Sequence, residues 1–187
     1  MPYKSAASSP TRELTPSIRA QLLDARVWQP ILEKYTTAVN LSVTWIDRDK
    51  HCGPIVNARP NWSLVSAKAP SSTDDCGFSL FSPQTCNCVA DAFKKGDIVF
   101  VRDRVRLTHF AIPLVLNEQR VGTLIGGQVF DQYPDQLALG HIAHTAGISS
   151  EEIWKVARLE HPVKRATLQL YADLLWVLGE NILQAQH

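Results

Sequence analysis

The sequence lacks a hydrophobic run that is long enough to cross a membrane. Its longest apolar stretch, Phe110 to Leu116, contains Pro113 and is far shorter than the ~20 residues that span a bilayer. The first residues, Met1 to Pro10, are polar and contain no apolar segment typical of a secretory signal. We therefore expect a cytoplasmic protein that makes no contact with a membrane.

The net charge is close to zero, and the sequence contains few cysteines. The formal net charge is +1, which gives no indication of a nucleic-acid-binding surface. In a reducing compartment the four cysteines are expected to be thiols, metal ligands or redox switches rather than structural disulfides. With 187 residues, of which 45% are hydrophobic and 20% charged, the chain is typical of one globular domain.

The apolar pattern predicts the order helix, two strands, helix, three strands, helices. We predict that residues 1–15 form a disordered lead-in and that residues 16–187 form one domain. Strands are predicted at Leu41–Ile46, Pro54–Ala58, Asp97–Val101, Thr108–Leu116 and Arg120–Phe130, the last two joined as a tight hairpin by Asn117, Glu118 and Gln119. This order favours an α+β fold, with a central antiparallel sheet of about five strands, flanking helices and a ligand pocket on one face.

The helices are predicted from proline, glycine and capping signals. Pro30 is expected to begin a second helix after one that starts at Pro16. A central helix is expected to begin at Pro83 and to end at Gly96. The remaining helices are predicted at Pro134–Thr145, Glu151–Arg158 and residues 163–184.

One block of sequence resembles a known family. The run AIPLVLNEQRVGTLIGGQVF, residues 111–130, precedes a helix begun by proline, the segment AGISSEE and a long C-terminal helix. Together they resemble the PocR-type sensory domain, a relative of the GAF and PAS sensor folds, from about Trp28 to Gln184. Cys76 and Cys86, ten residues apart, fit a cysteine pair common in that family. The resemblance implies a cytoplasmic regulatory input domain, often joined to a DNA-binding module or a kinase.

The sequence also departs from that family. Members often carry Cys-His-x-Gly-Leu before the Ala-x-Pro strand, whereas residues 103–107 read DRVRL here. His109 stands where an acidic residue is usual. The departure indicates a ligand different from that of other members.

Three cysteines, at positions 76, 86 and 88, lie within thirteen residues. A helix that begins at Pro83 would place Cys86 in its first turn, where terminal N–H groups stabilise a thiolate. Phe93 would share the inward face with Cys86, and Cys88 would point about 200° away. Cys86 and Cys88 would then not serve one buried site, unless the helix begins later than Pro83. A buried, inert Cys86 is the alternative.

His109 is the second candidate ligand. Cys86 or Cys76 together with His109 could bind haem iron, since thiolate and imidazole are both common axial ligands. Phe93 would border this cofactor, and Arg104 could anchor an acidic group such as a propionate, although a solvated arginine is the default. Zinc or an iron–sulfur cluster is a further possibility, with ligands Cys76, Cys86, Cys88 and His109. The spacing does not match paired Cys-x2-Cys zinc motifs.

These residues favour a sensory domain without catalysis that binds a small ligand or a cofactor, with haem first and redox or gas sensing as its role. A sensor for a small organic ligand without metal is an alternative. An enzyme is the second alternative, since some GAF-like domains are thiol-dependent methionine sulfoxide reductases. There Cys86 would attack the sulfoxide and Cys76 would resolve the product as a disulfide. The strand before Pro113 lacks the third cysteine that such reductases carry.

The C-terminal helix carries a regular apolar stripe. Its members follow a 3-4 spacing: Leu168, Tyr171, Leu175, Leu178 and Ile182. This spacing is typical of the seam of a short coiled coil, so the stripe predicts a homodimer that signals through the helix. Docking of half of this stripe on its own domain is the alternative.

Overall fold

The computed structural model describes residues 14–57, 76, 78, 86–102 and 107–187. Its helices are α1 (Pro16–Leu22), α2 (Ala25–Val39), α3 (Cys88–Lys95), α4 (Gln136–Ala146), α5 (Ser150–Ala157) and α6 (Arg165–Gln186). Its strands are β1 (Ser42–Asp47), β2 (Val99–Arg102), β3 (Leu107–Leu116) and β4 (Gln119–Phe130). Within this part of the chain, no helix combines the length and apolar character needed to cross a membrane.

The described strands form one antiparallel sheet in the order β1-β4-β3-β2. The predicted α+β class is therefore confirmed, but the sheet has four strands rather than five. In the segment predicted as a strand from Pro54, Val56 makes a single bridge to Val43. Pro54 has no N–H to donate to a ladder, and Asn57 turns the chain with a φ of 53°. Ala58 lies outside the described residues.

The predicted hairpin between β3 and β4 is confirmed, but its turn has two residues rather than three, because Gln119 already belongs to β4. Asn117 and Glu118 both adopt left-handed conformations, with φ values of 49° and 63°. Turns of this type match the right-handed twist of the strands that they join. Leu116 consequently pairs with Gln119, and the two strands extend side by side for most of their length.

The two faces of the sheet are covered by different helices. On one face α2 and α6 pack against alternate residues of β3 and β4, with Trp28 and Leu175 fully buried. On the other face α3 contributes Cys88 and Ala92 to a smaller buried cluster with Ala111 and Ile125. Helices α4 and α5 pack against Leu107 and Phe130 at one end of the hairpin. The candidate ligands Cys76, Cys86, Cys88 and His109 lie on the α3 face.

Two predicted helix starts are wrong. Helix α2 begins at Ala25, where the Asp24 side chain accepts a hydrogen bond from the N–H of Arg26, and Pro30 lies inside it. Pro30 is exposed and removes a single backbone hydrogen bond, whereas Trp28 and Leu32 on either side of it are fully buried. Helix α3 begins at Cys88 rather than Pro83, which lies outside the described residues. The predicted stop at Gly96 is confirmed, with φ 64°.

The apolar stripe of α6 packs inside the domain. Leu168, Leu175 and Ile182 are buried against the sheet, so the prediction that they form an intermolecular seam is wrong and the docking alternative is confirmed. Gly179 permits the close approach, since a Cβ there would lie 2.9 Å from Leu124 Cδ1. At the opposite end of the chain, Thr15 caps α1 by accepting a hydrogen bond from Ile18 N. Residues 1–13 of the predicted lead-in lie outside the described residues.

A β-bulge in β4 sets the position of His109. Thr108 pairs with Val129 and His109 pairs with Gly127, so Gln128 is the extra residue. Gly127 has a φ of 127°, and a Cβ added to it would lie 2.7 Å from His109 Cα and from the Thr108 carbonyl oxygen. Position 127 therefore requires glycine, both for its backbone conformation and for the close approach of β3.

We expect Gly127→Ala to lower the free energy of unfolding by roughly 1–3 kcal/mol, because alanine is strained at this φ and its methyl group meets the neighbouring backbone. Urea denaturation measures the change. Gly140→Ala in α4 is the matched control, since a Cβ there meets nothing within 4 Å. That control should be neutral or more stable by up to about 1 kcal/mol. Equal stability of the two variants would contradict the assigned role of Gly127.

Candidate metal centre

Four potential metal ligands converge between the start of α3 and the sheet. Atoms of Cys76, Cys86, Cys88 and His109, one from each residue, all lie within 4.8 Å of one another. Cys76 Sγ is 3.5 Å and Cys86 Sγ is 3.3 Å from His109 Nε2. All four side chains are buried, and none of the cysteines forms a disulfide. We call this group the Cys3His cluster.

These distances fit a tetrahedral metal site. Zinc binds thiolate sulfur at about 2.3 Å and imidazole nitrogen at about 2.0 Å, so tetrahedral geometry separates sulfur from nitrogen by about 3.5 Å. The two sulfur–nitrogen distances of 3.3 and 3.5 Å are close to that value. The set of three sulfurs and one imidazole nitrogen is also a ligand set found in structural zinc sites.

The late start of α3 allows Cys86 and Cys88 to share this cluster. Cys88 is the first residue of the helix and faces the sheet together with Ala92, whereas Cys86 precedes the helix. The angular separation expected within one helix therefore does not apply to them. The expectation that the two sulfurs serve different sites applied to a helix that begins at Pro83, and with the later start both belong to one site. The sequence signal for this part of the site is the Cys-x-Cys pair at the start of α3.

His109 reaches the cluster from β3. The ring of Phe78 packs against it edge to face, with the ring centroids 6.5 Å apart. The carbonyl oxygen of Phe78 in turn accepts a hydrogen bond from Nε2 of Gln128, the bulged residue of β4. The bulge therefore holds a buried polar side chain next to the cluster. No sequence motif distinguishes Gln128 from an ordinary strand residue.

The close packing of the cluster shifts the proton affinities of its members. Hydrogen bonds with Cys76 and then Cys88 lower the pKa of Cys86, and the neighbouring His109 lowers it further. Hydrogen bonds with Cys76 and Cys86, together with burial, raise the pKa of Cys88. Burial alone lowers the pKa of His109, but its hydrogen bonds with Cys76 and Cys86 outweigh burial and raise it to about 10.

These pKa shifts favour one thiolate beside a protonated imidazole, and they oppose the formation of a second thiolate nearby. A divalent cation between the ligands would reverse this balance, because coordination favours the deprotonated form of every thiol. The arrangement can therefore hold a metal ion whose charge offsets that of the thiolates.

The cluster gives no support to haem. Haem iron takes its axial ligands from opposite faces of a flat macrocycle. Here the atoms of Cys76, Cys86 and His109 belong to one compact group that also contains Cys88. Arg104, the predicted anchor for a propionate, lies outside the described residues. Its neighbour Arg102 forms an ion pair with Asp131, with Nε and Oδ2 2.8 Å apart.

A cleft of about 480 Å³ lies beside the cluster. It is bounded by α3, by the turn after β1 and by the β3–β4 hairpin, with lining residues that include Ile46, Arg48, Lys50, Cys86, Phe93 and Arg120. The Arg120 guanidinium lies 4.9 Å from the centroid of the Phe93 ring. Phe93, predicted to contact a cofactor, therefore borders this cleft. Among the cysteines, all of which the structure describes, Cys86 is the one that lines the cleft.

Comparison with known proteins identifies a family. No curated protein matches the chain. Among solved structures, the chain is similar to the GAF domain/HD domain protein from Geobacter sulfurreducens, with 11% identity and a TM-score of 0.35. That similarity covers 73% of this chain and 98% of the other. The model described as the sensory domain found in PocR matches residues 21–187. This match extends over nearly the whole sequence and confirms the predicted resemblance, so the chain belongs to the PocR sensory-domain family.

Proposed function

We propose that this chain is a ligand-binding sensory domain whose input site is organised by a metal ion in the Cys3His cluster. Membership of a sensory-domain family supports the sensing role. The observation that carries the metal is the convergence of four buried ligand atoms within 4.8 Å of one another. We retain a cytoplasmic location in the proposal, because free thiols persist in a reducing compartment.

Zinc is the metal that this ligand set favours. Thiolate and imidazole ligands in a tetrahedral arrangement are typical of zinc, whereas iron–sulfur clusters are usually held by four cysteines. Four protein ligands also fill a tetrahedral site and leave no position for a substrate. The metal would therefore stabilise the sensor and connect three segments of the chain: the one with Cys76, the start of α3 and strand β3.

The reductase alternative uses the same thiols in a different way. Cys86 borders the cleft, and Cys76 lies in the same cluster, as an attacking and a resolving thiol would require. A metal ion would occupy both sulfurs and leave neither as a nucleophile. The two functions therefore exclude each other in the metal-loaded protein, and the reductase stays a prediction for a chain that binds no metal.

We expect the purified chain to contain one zinc ion, as measured by inductively coupled plasma mass spectrometry. Cys86→Ser, Cys88→Ser and His109→Ala should each lose most of the metal, because each removes one of the four ligands. Cys52→Ser is the matched control, since Cys52 is an exposed thiol outside the cluster. Cobalt substitution should give the intense visible absorption of a tetrahedral thiolate site.

Two results would contradict the zinc proposal. One is a chain that binds neither zinc nor cobalt, or that binds them equally well after Cys88→Ser. The other is a Soret band after haemin titration that Cys86→Ser or His109→Ala shifts, which would restore haem as the cofactor.

A homodimer through α6 is the second part of the proposal. Opposite the buried stripe, Leu170, Leu174 and Val177 are each more than half exposed. Their spacing of four and then three residues is that of a coiled-coil seam. This exposed stripe, rather than the buried one, is the surface available to a second copy of the chain.

We expect the wild-type chain to sediment as a dimer in analytical ultracentrifugation. Leu174→Glu should sediment as a monomer, because dimerisation would bury the glutamate charge without a partner of opposite charge. Leu137→Glu is the matched control, since Leu137 is 73% exposed on α4 and lies outside the stripe. A wild-type chain that stays monomeric at every concentration would contradict the dimer.

A further inference from the structure

We propose that Cys86 is a reactive site at which a hydroperoxide oxidises the metal centre and releases its metal. This inference rests on the proposed function, because it assigns a chemistry to the same Cys3His cluster. It starts from a difference among the three sulfurs. Cys76 and Cys88 are completely buried, whereas Cys86 is 9% exposed and lines the cleft. A molecule in the cleft therefore meets one thiolate of the centre first.

The cleft has the size and the walls to admit such a molecule. Its volume of about 480 Å³ exceeds that of a small organic hydroperoxide. Ile46, Val89 and Phe93 supply apolar surface, and Ala90 is an exposed lining residue on α3. Cys86 both lines this space and contributes its sulfur to the cluster, so it is the cysteine of the centre that an oxidant in the cleft would meet.

The first step forms a sulfenic acid. The Cys86 thiolate sulfur attacks the terminal oxygen of the hydroperoxide, so that an S–O bond forms and the O–O bond breaks. The sulfur is oxidised by two electrons and the peroxide is reduced. The leaving alkoxide or hydroxide takes a proton from water and departs as an alcohol or as water.

The second step forms a disulfide. The thiolate of Cys76 or Cys88 attacks the Cys86 sulfur, the S–O bond breaks, and hydroxide leaves with a proton from water. The partner sulfurs are already within 4.8 Å, so an S–S bond of about 2.05 Å requires only a local movement. Cys86 precedes α3 and is free of its helical hydrogen bonds. The metal loses two of its four ligands and dissociates.

The test uses the full zinc-loaded chain with hydrogen peroxide and with cumene hydroperoxide, and a chromogenic chelator follows zinc release. We expect both oxidants to release zinc and peptide mapping to find Cys86 in the disulfide. Ala90→Trp should keep the zinc content but slow release several-fold, and more for cumene hydroperoxide, because the indole fills the entrance. Ala38→Trp, on the exposed side of α2, is the matched control and should behave like the wild type.

Three results would overturn the inference: zinc that stays bound while Cys52 is oxidised, a disulfide that lacks Cys86, or equal rates of release by cumene hydroperoxide from Ala90→Trp and Ala38→Trp. In each of these the chain binds zinc, so the proposed function stands. A chain that carries no zinc before oxidant is added overturns the proposed function instead. The two failures are therefore distinguished by the metal content at the start.

Discussion

The structure depends on how three sulfurs and one imidazole are accommodated in a buried layer. Between α3 and the sheet, apolar residues such as Ala92 and Ile125 surround three thiols and one imidazole, all of which can become charged. Charge in such a place is costly unless a partner compensates it. One thiolate and one imidazolium compensate each other, and a metal ion would compensate further thiolates. The cluster therefore links the fold on this side of the sheet to the chemistry of its cysteines.

The opposite side of the sheet has an ordinary hydrophobic core, so the two faces of the sheet are stabilised in different ways. Trp28, Leu175 and their neighbours bury a large apolar surface that stabilises the domain without any cofactor. The α3 side carries a smaller apolar cluster next to the polar one. A change in the state of the sulfurs can therefore alter α3 and its surroundings while the other layer keeps the sheet intact. Such a division suits a sensory domain, in which one layer can change its state while the other maintains the fold.

Local signals predicted much of the fold, and long-range packing decided the rest. Gly96, Gly147 and Ser149 occupy helix ends because glycine tolerates a left-handed backbone and serine caps a free N–H group. The start of α3 is weakly marked, because its N-cap residue Asn87 makes no side-chain capping hydrogen bond, and Cys88 faces inward through its packing against the sheet. The stripe of α6 illustrates another limit. A helix that packs on its own sheet and one that packs on a partner have nearly the same apolar spacing.

Pro54 prevents a full ladder of hydrogen bonds to β1, and this also affects how the edge of the sheet is covered. Strand β1 lies at one edge of the sheet, and a bare edge exposes N–H and C=O groups that can pair with another chain. The segment after β1 occupies this edge through isolated bridges, at Ile46 with Cys52 and at Val43 with Val56. These bridges occupy backbone hydrogen-bonding groups of β1. The segment itself is not a regular strand, so it does not form a new edge of the sheet. The incomplete fifth strand therefore leaves fewer backbone groups at this edge that could pair with another chain and cause aggregation.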